Sequence, residues 1–237
     1  MNPEDLIRRI NALEHRLSDQ ERKETADMTT GWSSDSDTWV QVSLTSFKII
    51  GKNVVARFEI GSKLKFINAI QKYAYVIAAA MSGSDTLVTI AGYGLAGLPI
   101  SLPSYSYAST PQGFPGVFNY DTVWTAGGTA PALGNGTLTS QFSMNGKLIT
   151  ASIDFTAGTT TTFGTGLWYF TLPVMPTVYL VGGASLYNAT VGTEYGGVSL
   201  RISGQNVYGL YQTSLLQNNA PFTWASGSVF VGSITYF

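Results

Sequence analysis

The chain has 237 residues, 44% hydrophobic and only 11% charged, with 13 Lys or Arg against 14 Asp or Glu and a net charge of −1. That is enough apolar material for one large or two smaller β domains, and the balance creates no field that would draw nucleic acid, which is not an expected partner. The absence of cysteine excludes a disulfide framework, a thiolate zinc site and a cysteine nucleophile.

The charges are concentrated at one end. Twelve fall in residues 1–27, whereas Val117 to Phe237 carries only Asp121, Lys147, Asp154, Glu194 and Arg201. The first segment, 1–27, reads as a helix: Asn2 suits the N-cap, Pro3 the first helical position, and Glu4 and Asp5 the positive end of the dipole. Leu6, Ile10, Leu13 and Leu17 repeat at spacings of 4, 3 and 4, a heptad seam with 10 and 17 at a and 6 and 13 at d. Arg9 and Arg16 then take g positions and Glu14 and Glu21 take e positions, so Arg9–Glu14 and Arg16–Glu21 pair between parallel neighbours. Ile7 widens the apolar face, which favours three strands, and a homotrimer is expected. The seam is too short to hold the trimer alone. His15, the single histidine, falls on the back of this helix with no catalytic or metal-binding company. The opening MNPEDLIRRI lacks a signal-peptide core, and no run approaches the 18 apolar residues of a membrane helix, so no membrane partner is expected.

A polar linker, 28–37, leads to a small basic β domain, 38–92. Its short strands (TWVQVSL, SFKIIG, NVVARFEI, KLKFI, KYAYVIAAAM, DTLVTIAG) alternate with glycine and serine turns, as in a small barrel. Lys48, Lys52, Arg57, Lys63, Lys65 and Lys72 make it basic and are candidates for docking on an acidic partner surface. Residues 93–116 read as a connector, because Pro99, Pro103, Pro111 and Pro115 disfavour both a helix and a central strand. Gly92, Gly94 and Gly97 spell G-x-G-x-x-G, but LPISLPSYSY follows where a dinucleotide fold needs a helix. No cofactor is expected.

Residues 117–237 form an all-β domain of eight to ten strands, expected as an antiparallel jelly-roll-type sandwich. TLTSQFSM and KLITASIDF alternate on either side of Asn145-Gly146, a hairpin signal of the type I′ kind. Tyr187, Tyr195 and Tyr211, beside Gly, Asn or Gln, are candidates for exposed rings that stack on surface glycan. Asp121, Asp154 and Glu194 are the carboxylates of this domain; each reads as a surface residue, and no catalytic or metal-ligating residue is assigned.

Two stretches resemble bacteriophage virion proteins. FEIGSKLKFINAIQKYAYVIAAA, then DTLVTIAGYGL and TPQGFPGVFNYDTVW, are similar to a module of minor tail and fibre-type proteins. ALGNGTLTSQFSMNGKLITASIDFTAGTTTTFGTGLWYFTLPV and PFTWASGSVFVGSITYF resemble the start and end of the C-terminal β-sandwich of the same proteins. The resemblance implies a non-enzymatic, homotrimeric virion component, made in the host cytoplasm, at the tail tip or fibre. Its implied partners are itself, other virion proteins and host-surface glycan. A capsid decoration protein or head fibre is the alternative. A polysaccharide depolymerase working through Asp154 or Glu194 is the remote one.

Overall fold

A computed structural model describes residues 30–178 and 182–237, and it is mainly β. The coiled-coil residues Leu6, Ile10, Leu13, Leu17, Arg9, Glu14, Arg16 and Glu21 lie outside the described residues. The chain divides into two units, one ending at Pro115 and one beginning at Gly116.

The first unit contains β1 (Ser33–Ser34), β2 (Trp39–Ser43), β3 (Ser46–Ile49), a 3-10 turn (Val55–Arg57), β4 (Lys63–Asn68), β5 (Ile70–Ser82), β6 (Asp85–Gly92) and β7 (Ser101–Ser106). They form one antiparallel sheet in the order β1-β7-β4-β5-β6-β3-β2. Its two edge strands, β1 and β2, are joined by residues 35–38 alone. Five chain steps reach about 17 Å, whereas the edges of a flat seven-stranded sheet stand about 29 Å apart. The sheet must therefore curl until its edges nearly meet, which is the barrel-like form. Inside the curl lie Trp39, Phe47, Ile49, Phe58, Leu64, Phe66, Val76, Val88, Ile90 and Tyr105. Trp39 stacks on Phe47 with centroids 4.2 Å apart and rings 4° from parallel.

The prolines of 93–116 do not keep a strand out. β7 carries Pro103 and sits between β1 and β4. The ladder skips at that point: Lys65 faces Ser104 and Ile67 faces Ser101, with Leu102 at φ +47°. At this bulge Pro103 needs no N–H, while its carbonyl accepts from the Asp35 N–H at 2.8 Å. The linker and connector stretches also meet each other. Trp32 Nε1 donates to the Gln112 carbonyl at 2.8 Å, and Phe114 packs on Trp32, Tyr73 and Tyr75.

The second unit contains β8 (Phe118–Asn119), β9 (Trp124–Ala126), β10 (Thr137–Asn145), β11 (Leu148–Thr156), β12 (Trp168–Thr171), β13 (Gly182–Asn188), β14 (Thr193–Ser203), β15 (Asn206–Tyr211), β16 (Ser214–Leu215) and β17 (Val229–Tyr236). Where a two-sheet jelly roll was expected, they share one hydrogen-bonded sheet, ordered β8-β10-β11-β17-β13-β14-β15-β12-β9, with β16 on β15. Again the edge strands, β8 and β9, are joined by four residues, 120–123. That bridge binds both margins: Tyr120 N–H donates to the Ser140 carbonyl at 3.1 Å, and Thr171 N–H to the Val123 carbonyl at 3.1 Å. Period-two alternation builds the core. In β11, Ile149, Ala151, Ile153 and Phe155 point inward and Thr150, Ser152 and Asp154 outward. Phe142, Trp168, Phe170, Phe230 and Tyr236 complete the interior.

The β10–β11 hairpin turns one residue later than its Asn-Gly suggests. Asn145 pairs with Leu148, so Gly146 and Lys147 are the central residues, and the positive φ (+58°) falls at Gly146, as a type II′ turn requires.

Candidate functional site

The six basic residues proposed for docking are engaged within their own unit. Arg57 donates to both oxygens of Asp35 at 2.9 and 2.8 Å and to Asp37 at 2.7 Å, its side chain 11% exposed and theirs 3% and 5%. Lys52 adds a second ion pair to Asp37. Asp35 also accepts from the Asp37 N–H at 2.9 Å and from Trp39 Nε1 at 3.1 Å. The bridge that draws the sheet edges together is thus held by a buried ionic clasp. Burial alone would raise the Asp37 pKa, but hydrogen bonds from Lys52 and Arg57 hold it below the usual carboxylate value; burial would lower that of Arg57, and the two aspartates raise it. Lys48 pairs with Asp85 at 3.5 Å. The Asp85 carboxyl is held low chiefly by the Gly51 N–H. Lys63 donates to the Ala108 carbonyl at 3.0 Å between the Tyr75 and Phe114 rings, and burial lowers its pKa. Lys65 stands 4.7 Å over the Trp32 ring, and Lys72 donates to the Gly94 carbonyl. The sequence signal for this was Asp35, Asp37 and Asp85: Asp85 meets Lys48 through the pairing of β3 with β6, while Asp35 and Asp37 sit in the bridge between the sheet edges.

The tyrosines divide. Tyr195 meets Tyr211 edge-on at 5.6 Å and Phe222 at 5.0 Å, and the stack continues through Trp224 and Trp168 into the core. Tyr187 pairs across strands with Glu194, one register step from the buried Leu186, so its ring lies on the opposite face, 37% exposed. The three do not form one surface.

What pattern reading missed is a cleft of about 530 Å³ on the outer face of β8, β10 and β11, with the exposed Val231 of β17 in its lining. Two cross-strand rows of outward side chains line it. One runs Asn119, Gln141, Ser152; the next runs Thr139, Asp154, Val231 and is flanked by Asp121. Gln141 Nε2 donates to Asn119 Oδ1 at 2.9 Å, which orients both amides. Among the described residues Asp121 and Asp154 make no ion pair. Alternation in β10 and β11 placed Thr139, Gln141, Ser152 and Asp154 outward; no local signal set Asn119 and Asp121 beside them.

Asp154 and Glu194 do not come together. β17 and β13 lie between their strands, a separation of about 14 Å in the sheet direction alone, against about 5–10 Å for a glycosidase pair. No three His, Asp or Glu side chains among the described residues gather to hold a metal ion. No described helix is long and apolar enough to cross a membrane.

The class defined by these features is a mainly β protein of two curled antiparallel sheets with a surface poor in charge. Comparison with known proteins adds one relationship. Over 109 residues, 44% of this chain, it is 31% identical to the Mu-like prophage FluMu defective tail fiber protein of Haemophilus influenzae. The chain covers 18% of that protein's length. No family model and no solved structure matches.

Proposed function

We propose that the chain is a non-enzymatic structural component of a bacteriophage particle, of tail-fibre type, that assembles as a homotrimer and meets the host surface. The observation that carries this reading is the similarity to a prophage tail fibre protein. The second sheet supports it: its outward positions are mainly Thr, Ser and Gln with few charges, so that neighbouring copies can pack there with little charge to desolvate. The heptad of Leu6, Ile10, Leu13 and Leu17 would set a parallel, three-fold register. The six cations make contacts within their own unit, with Arg57 and Lys63 largely covered, which weighs against an electrostatically docked capsid decoration. The wide separation of Asp154 and Glu194 speaks against these two acting together as a glycosidase pair. Mass spectrometry of gradient-purified particles tests the virion assignment, which fails if the chain is absent. Light scattering tests the oligomer: the full chain is expected at three times the monomer mass, and a monomer contradicts the heptad reading.

A further inference from the structure

We propose that the cleft on β8, β10 and β11 is a binding site for neutral, polyhydroxylated glycan. The inference rests on the reading of the chain as a particle component that meets a cell surface. Beside the apolar Val231, its outward polar side chains are of three kinds: carboxylates (Asp121, Asp154), amides (Asn119, Gln141) and hydroxyls (Thr139, Ser152). Sugar hydroxyls both donate and accept, and this set does both. The carboxylates have acceptor capacity that no described cation or donor uses, and hydrogen bonds to an ionised acceptor are the stronger kind. The Gln141–Asn119 bond consumes one donor and one acceptor and leaves Gln141 Oε1 and the Asn119 amide hydrogens for a ligand.

Charge disfavours two of the competing ligand classes, the anionic and the apolar. Two carboxylates repel sialic or uronic acids and phosphates. An apolar ligand would strip water from both without replacing their hydrogen bonds. Size agrees as well. Asp121 and Asp154 flank Thr139, so their backbones stand two inter-strand spacings, about 10 Å, apart. That width and about 530 Å³ suit a short run of pyranose rings. The lining strands β10 and β11 are paired over nine residues, so the groups are preorganised.

The test is an array of neutral oligosaccharides (glucose, galactose, mannose and N-acetylhexosamine units) beside sialylated and uronate-bearing ones, probed with the full chain. The wild type is expected to bind neutral members and no acidic ones. Asp154→Asn and the double variant Asp121→Asn/Gln141→Ala, all at exposed positions, are expected to weaken binding about tenfold or more, with melting temperature unmoved. Absence of neutral binding, preference for acidic glycans, affinity unchanged in both variants, or release of reducing ends would each overturn the proposal. Particles carrying the same variants separate the two readings. Chain absent from wild-type particles refutes the particle assignment; chain present without neutral-glycan binding refutes the cleft alone.

Discussion

Arg57→Ala removes the cation that joins Asp35 and Asp37, and the clasp geometry sets what that costs. Both carboxylates are almost fully covered, and the arginine is 11% exposed. Asp35 keeps the Trp39 Nε1 and Asp37 N–H bonds, and Asp37 keeps only the exposed Lys52. Losing one partner of a buried charge network costs about 3–5 kcal/mol, because the remaining charge stays desolvated. For a unit of this size that lowers the first unit's melting temperature by more than about 10 °C. Hydrogen exchange over residues 39–49 isolates this unit from the tryptophans of the second. Arg201→Ala, at an exposed site, should stay within about 0.5 kcal/mol. Replacing the cluster together (Asp35→Asn, Asp37→Asn, Arg57→Met) should recover much of the loss, since a neutral set carries no stranded charge. A loss below about 1 kcal/mol for Arg57→Ala would refute the clasp as the element that holds the edges together.

Three further outcomes follow from the same structure. The lowered Asp37 pKa is a stabilising contribution that is complete above the unfolded value near 3.8 and is lost as pH falls below it, so acid should open the first unit and Arg57→Ala should flatten that limb of a pH–stability curve. Burial pushes the Tyr120 pKa from 10.0 up to about 12 and raises that of Tyr236 as well; the folded state retains protons that the unfolded chain releases, so Tyr120 alone should cost the second unit up to about 3 kcal/mol as pH rises from 10 to 12, a part of the loss that Tyr120→Phe should remove in denaturant titration. Gly134 has φ +59°, and a Cβ there would stand 2.5 Å from the Thr160 carbonyl oxygen, so Gly134→Ala should destabilise the second unit by more than about 2 kcal/mol in chemical unfolding.

Local pattern carried much of the fold. The alternation of TLTSQFSM and KLITASIDF, with every inward residue but Ser140 apolar, defines β10 and β11 whatever surrounds them. Closure was another matter. β1 and β2 are sequence neighbours at opposite sheet edges, so the roles of Asp35, Asp37 and Arg57 follow only from the curl. Pro103 was misleading because the rule against proline in a central strand yields where a bulge leaves its position unpaired. The hairpin moved by one residue because Gly146 can supply its positive φ at the first central position of a II′ turn. Of the site, the outward half of the cleft was legible in β10 and β11. Asn119 and Asp121 join it through a pairing of β8 on β10 that spans about twenty residues of chain.

The most direct test of the central claim is gold labelling of intact particles with antibody raised against residues 117–237. Gold at the tail is the predicted result. Gold confined to the head, or particles that contain the chain nowhere, would contradict it.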